Sequence, residues 1–193
     1  MKTLEHLLKP IRIKSLEIAN RVVMPPMGTG LGNDDGTVSE ANLAYLRRRV
    51  RSEAGLYITE ITEVDPLGAV TPACLGIWDD KFIPGLKKMA DVVHAAGSKV
   101  ALQLHHCGRE SLYQTKRRTA VAPSAVGSFI FGFIAPPREM TLAEIRDTIR
   151  AFGAGARRAK AAGFDMVELH GAHGYLLMQF LSAFSNTRAD EYG

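Results

Sequence analysis

Gly163 to Tyr192 reads GFDMVELHGAHGYLLMQFLSAFSNTRADEY. It opens with a short apolar run, Asp165 to Leu169. It then delivers His170 and His173 three residues apart and Tyr175 two further on, and continues as a helical pattern. A short apolar run behind a glycine reads as a buried strand. Ending such a strand in two imidazoles and a phenol packs poorly and concentrates chemistry. In parallel α/β sheets and barrels, reactive groups gather at the carboxyl ends of the strands. His170, His173 and Tyr175 are therefore the candidate catalytic residues.

Working outward, the helix before this strand spans Leu142 to Ala162. Thr141 and Glu144 form its capping box, and Gly163 closes it. An earlier strand, Lys99 to Leu104, runs straight into His105-His106-Cys107-Gly108-Arg109. Before that come a strand over Leu56 to Thr62 and a helix over Phe82 to Ala96, with Asp79-Asp80 suiting the helix dipole at its start. A helix over Glu40 to Ser52 is capped by Ser39. The first buried strand, Arg21 to Met24, stops at Pro25-Pro26, because proline offers no ladder donor. Pro10 to Val23 reads as a small hairpin leading into it. Glu110 to Met140 reads as a long irregular excursion, with an apolar patch at Phe129 to Ile134.

Short apolar strands alternating with helices predict a parallel sheet with covering helices. The strand ends carry PPMGTG, TEITE, QLHHCGR and HGAHGY. Parallel strands all end on one face, so these four loops share it, which favours a barrel over a doubly wound sheet. Neither GxGxxG nor a P-loop lysine motif is present.

The 193 residues are 46% hydrophobic and 23% charged, enough to bury a core. A net charge of +4 is too small to indicate a nucleic-acid partner, and the basic run Arg47 to Arg51 lies on a helical pattern as a solvated face. Cys74 and Cys107 make neither a disulfide framework nor a metal-type pair, so a reducing, cytoplasmic setting is expected. The N-terminal MKTLEHLLKP lacks the apolar core of a signal peptide, and no run suits a membrane span.

Three stretches together resemble the old yellow enzyme family of FMN-dependent NAD(P)H:flavin oxidoreductases. They are Met24-Pro25-Pro26-Met27-Gly28-Thr29, Gln103 to Arg109, and HGAHGYLLMQFLSAFSNTRADEYG. The PPMGTG wording is similar to the 2,4-dienoyl-CoA reductase and enoate reductase branch. The resemblance implies a TIM (β/α)8 barrel, of which this chain holds only the first four βα units behind an N-terminal hairpin. It implies FMN as cofactor and NADH or NADPH as reductant. The partner is a small-molecule substrate, an α,β-unsaturated carbonyl or an enoyl thioester, whose C=C bond is reduced. On the same resemblance Pro25, Pro26, Met27 and Gly28 meet the flavin, and Gln103 hydrogen-bonds its pyrimidine edge. His170 and His173 donate to the substrate carbonyl, and Tyr175 supplies a proton. Family members carrying Thr or Cys at the Gly28 position tune the flavin with a side chain that Gly28 lacks.

Rival readings exist for each group. His170 and His173 could be hydrogen-bonded core histidines. With His105 and His106 on the same face they could also hold a metal. Glu168 shares the alternation of His170 and could orient a neighbour. Arg109 is expected to fix its loop through carboxylates, Cys107 to be a small buried residue, and Arg188, Asp190 and Glu191 to form a local ion-pair cluster. The chain stops at Gly193, so residues 1–193 are expected to be the N-terminal part of an FMN-binding barrel domain. That part either needs the other barrel half or self-associates. A catalytically dead binding module and a metal-dependent barrel lyase or hydrolase are the alternatives.

Overall fold

The computed structural model describes residues 4–112, 119–128 and 136–193; the apolar patch expected at 129–134 lies outside them. A short helix α1 (Glu5–Leu8) leads into an antiparallel hairpin, β1 (Ile11–Ile13) and β2 (Leu16–Ile18), with Ile11 opposite Ile18. There follow β3 (Val23–Met24), α2 (Glu40–Arg49), β4 (Leu56–Glu63), β5 (Leu75–Gly76), α3 (Ile83–His94) and β6 (Lys99–His105). The chain continues with β7 (Val121–Ala122), β8 (Arg138–Glu139), α4 (Leu142–Ala161), β9 (Met166–Leu169) and α5 (Leu176–Leu181). The main sheet runs β3-β4-β6-β9, all parallel, and β5 pairs with the end of β4.

The helix starts are written in the sequence. Ser39 Oγ accepts the Asn42 N–H at 3.1 Å, and Asn42 Oδ1 accepts the Ser39 N–H at 3.0 Å. Thr141 and Glu144 close the same reciprocal box at the start of α4, at 3.2 and 2.8 Å.

The two sheet faces bury different things. On the outer face Tyr57, Val100, Leu102 and Leu104 pack under Leu43, Leu46, Leu86, Met89 and Val93 of the helices. Gly155 lets α4 settle there, since a Cβ at this position would stand 3.2 Å from both Leu104 and Val64. The inner face holds a small cluster, Ile18, Leu56 and Ala101, with Leu16, Ile58 and Met166 against it. Ile18 comes from the hairpin, which thereby plugs the amino-terminal end of the sheet.

Several expected boundaries move, each for a physical reason. The first strand pairs only over Val23–Met24, because Asn20 Oδ1 takes the Val22 and Gly55 N–H groups at the entry. The helix from Ser39 tightens into a 3-10 turn over Val50–Ser52, and the helix expected from Phe82 begins as a 3-10 turn over Asp80–Phe82. Asp165 is a latch ahead of its strand: its Oδ2 accepts the Val100 N–H at 2.9 Å and meets His94 Nε2 at 2.8 Å. Within the stretch from Glu110 to Met140, β7 and β8 pair in parallel, Val121 with Arg138 and Ala122 with Glu139. Strand β5 had no signal in the sequence, being two residues docked on β4.

One irregularity reaches the functional end. Ile58 pairs with Ala101 but Ile61 pairs with Gln103, so β4 advances three residues while β6 advances two. The extra residue is a β-bulge, which inverts the side-chain alternation beyond it. It brings Glu63, in place of Thr62, onto the face of His105.

Candidate active site

Strand β9 ends at Leu169, and the backbone N–H of His170 extends the ladder by donating to Leu104 O at 3.1 Å. This places His170 beside the end of β6, 8% exposed. The chain then reverses tightly. His173 takes a left-handed φ of 56°, uncommon for a residue with a Cβ, and Gly174 follows at 74°. The reversal sets the His173 ring 5.1 Å from that of His170, with His173 Nδ1 and His170 Nε2 3.3 Å apart. Tyr175 sits next, at the N-cap of α5, with its ring 5.0 Å from His170. Its own neighbour on the inner side is His105, at 4.4 Å edge to face.

Protonation follows from burial. Desolvation, helped by His105 and His173, pushes His170 down to about 4, so its ring is neutral at pH 7. The Ala172 N–H donates to His170 Nδ1 at 3.4 Å, so Nε2 carries the ring's proton and points it at His173. Burial pushes Tyr175 above the usual phenol range, and negative charge at Cys107, Glu63 and Glu110 adds to the effect. Tyr175 is therefore a protonated donor throughout neutral pH. His105 is pushed down to about 3 by burial.

Below this cluster, Gln103 is 4% exposed and donates through Nε2 to Glu168 Oε1 at 2.6 Å. Glu168 thus orients Gln103. The Pro25–Gly28 loop lies at the end of β3, on the same side of the parallel sheet. Its far end is tied down by Glu60, whose carboxylate accepts the Thr29 N–H at 2.9 Å, Thr29 Oγ1 at 2.7 Å and Asn42 Nδ2 at 3.0 Å. Burial raises the Glu60 carboxyl above its usual range. The loop is left with Met27 55% exposed and open space around Gly28.

A family model described as NADH:flavin oxidoreductase / NADH oxidase matches residues 6–193. The chain belongs to this family. It is 45% identical over 184 residues to the NADH oxidase of Thermoanaerobacter brockii, a match covering 94% of this chain and 28% of that protein. It is 43% identical over 188 residues to the NADPH dehydrogenase of Geobacillus sp. (strain WCH70), covering 97% of this chain and 54% of that protein. Among solved structures, morphinone reductase superposes with a TM-score of 0.87 at 35% identity, covering 97% of this chain and 53% of that one. The chain therefore spans about half or less of the length of these relatives. FMN is the family's flavin and a reduced nicotinamide its reductant.

Within this flavin oxidoreductase fold, the structure gathers His170, His173 and Tyr175. It places Pro25, Pro26, Met27, Gly28 and Gln103 at or near the same end of the sheet. It does not gather the four imidazoles considered as a metal set. His106 alternates away, takes the Gly108 N–H on Nδ1 at 3.0 Å, and lines a different pocket with Asp65, Leu67 and Val121. Among the described residues no three His, Cys, Asp or Glu side chains are grouped to hold a metal ion. Glu191 leaves its expected cluster and pairs with Arg146 at 2.9 Å, while Arg188 binds Asp190 and Glu139. Arg109 pairs with Glu110 at 3.1 Å, and Cys107 is buried. Among the described residues no helix is long and apolar enough to cross a membrane.

Glu63 and Gln179 had no signal in the sequence, and Glu60 was legible there only as an acid near the imidazoles, not as the anchor of the Pro25–Gly28 loop. Gln179 was legible only as one more position of an apolar helix, yet it is 1% exposed. Its Nε2 donates to Cys107 O at 3.1 Å and Gly174 O at 2.7 Å, and its Oε1 accepts the Arg109 N–H at 3.2 Å. The amide bolts the turn before Tyr175 to the loop after β6. Gly108, at φ 59°, must lack a side chain because a Cβ there would collide with this amide. Gln179→Leu strands three backbone groups and is expected to cost about 2–4 kcal/mol. Urea unfolding should show a lower midpoint at constant m-value, and a wild-type midpoint would refute the bolt.

Proposed function

We propose that the chain supplies the substrate-holding and protonating part of an FMN-dependent ene-reductase. The substrate class is an α,β-unsaturated ketone or enoyl thioester, and NADH or NADPH is the source of electrons. One observation carries the reading: two ring nitrogens 3.3 Å apart with a protonated phenol beside them. One oxygen atom can sit at hydrogen-bonding distance from both nitrogens at once. That is the arrangement a carbonyl oxygen needs as it becomes an enolate oxygen.

The residues present fit the flavin. Gln103 has its amide N–H committed to Glu168, which leaves its oxygen to accept an N–H from the pyrimidine edge. Pro25, Pro26, Met27 and Gly28 offer a largely exposed apolar surface with no side chain obstructing it at Gly28. When bound, FMN would supply a hydride, drawn from NAD(P)H, to the β-carbon of the alkene. His170 donates through Nε2 to the carbonyl oxygen as negative charge builds on it. His173 donates through Nδ1, in the tautomer its exposed ring reaches by exchange with water. Fixed donors of this kind contribute roughly 3–4 kcal/mol each. Tyr175 delivers its proton to the α-carbon.

The same reading takes β3, β4, β6 and β9 as the first four strands of an eight-stranded barrel, with residues 1–193 its N-terminal part. Leu169, on β9 at the end of the described sheet order, is 57% exposed. A groove of about 430 Å³ between α4 and α5 is lined by Ile149, Phe152, Leu177 and Leu181. Both surfaces fit closure by further βα units.

The test is direct. Equilibrium dialysis of the purified chain against FMN is expected to show retained flavin. Anaerobic NADH or NADPH should bleach its visible band, and an enone should restore it. A chain that retains no FMN at millimolar free flavin, alone or with the remaining barrel half supplied in trans, overturns the proposal.

A further inference from the structure

Beside the cluster lies a second polar pair that the proposed chemistry does not use. Glu63 and His105 sit at neighbouring ends of β4 and β6, both side chains 0% exposed, with His105 Nδ1 2.8 Å from Glu63 Oε2. As a source of stability the pair makes little sense. A neutral imidazole hydrogen-bonded to a buried carboxyl rarely outperforms apolar side chains of the same volume. The fold nonetheless spends a β-bulge to bring Glu63 onto this face. The held ring of His105 stands edge to face with Tyr175 at 4.4 Å and tilted against His170 at 5.2 Å. Its Nε2 is buried and has no hydrogen-bond partner among the described residues.

We propose that Glu63 and His105 are positioning residues for Tyr175: Glu63 fixes the imidazole, and the imidazole is the inner wall that holds the phenol in its donating orientation. The proposal rests on the ene-reductase reading for what Tyr175 does. The contact itself stands on geometry alone. The groups acting on the phenol are His105 and His170 at ring contact, with Cys107, Glu63, Glu110 and Cys74 acting through their charge.

The test replaces the pair with Glu63→Met and His105→Phe together, a swap of similar volume that should leave the thermal midpoint unchanged or higher. With FMN and an enone, kcat is expected to fall on the order of tenfold to a hundredfold with little change in KM, because the ring at 105 has lost its tether to Glu63 and no longer fixes the donor's orientation. Introduced into Tyr175→Phe, the same pair of changes should do nothing further. In the flavin-free chain, the Tyr175 phenol should titrate at lower pH, since the charge of Glu63 has gone. Ultraviolet titration reads this, with Tyr175→Phe marking the component that belongs to Tyr175.

Wild-type kcat in the Met/Phe variant, an undiminished loss in the Tyr175→Phe background, or an unmoved phenol titration each overturns the proposal. The titration needs neither flavin nor substrate. A chain that reduces no enone therefore sinks the proposed function and leaves the pair to be decided by titration alone.

Discussion

Replacing His170 and His173 together by alanine is expected to lower kcat/KM for an enone by at least about a thousandfold. Removing one fixed donor from an oxyanion costs roughly 10²–10³ in rate. Both nitrogens here address one point in space, being 3.3 Å apart, so their losses combine below the simple product. Phenols that mimic the enolate should lose affinity in parallel. Retention of FMN and its bleaching by NAD(P)H should survive, because neither imidazole belongs to the Pro25–Gly28 loop or to Gln103. The thermal midpoint should also stay close to wild type, since His173 is exposed and His170 makes only long contacts through its ring nitrogens. Steady-state kinetics on the double variant decides the matter. Undiminished enone reduction would remove the oxyanion role and leave the pair as ordinary polar packing.

Tyr175→Phe is the second large effect. General-acid catalysis by a positioned side chain contributes about 10²–10⁴. Losing the hydroxyl should therefore cut kcat by an amount in that range, with KM little altered, because in the proposed function the histidines hold the carbonyl. The ring contacts with His105 and His170 are kept by phenylalanine, so the change is chemical and not a packing defect. The deficit should appear only when the alkene is reduced. Bleaching by NAD(P)H in the absence of alkene should match wild type. Burial and surrounding negative charge hold the phenol protonated, so the wild-type rate should show no loss of the donor on the alkaline side until well above neutral pH. Equal slowing of both half-reactions in Tyr175→Phe would assign the residue to flavin binding instead.

Much of this was legible in the residues because the signals are local. The Ser39 and Thr141 caps state where α2 and α4 begin. The prolines after Met24 end β3, and a strand that runs into His170 marks the reactive end of the sheet. Gln103 was readable as an inward polar residue and Glu168, by alternation, as sharing the side of His170; that the two meet is decided by the pairing of β6 with β9. Other features had no local signature. Gln179 looks like any position of α5 until the loop after β6 folds against it. His106 looks like a fourth imidazole of the set until strand alternation turns it to the other side. Glu60 reads from the sequence as an acid on the side of the imidazoles, and only the return of Thr29 and the packing of Asn42 make it the anchor of the Pro25–Gly28 loop.

By itself, the sequence determined the parallel order of strand and helix, the face on which the loops gather, and that His170, His173 and Tyr175 follow one another at a strand end. These depend on periodicity, caps and neighbours within a few residues. Tertiary structure alone decided which ring nitrogens converge and that His105 joins the site while His106 leaves it. It also decided that Glu63 supports His105. That last choice turns on a single extra residue in β4, which shifts every later side chain to the opposite face. Such a bulge is set by the pairing of β4 with β6.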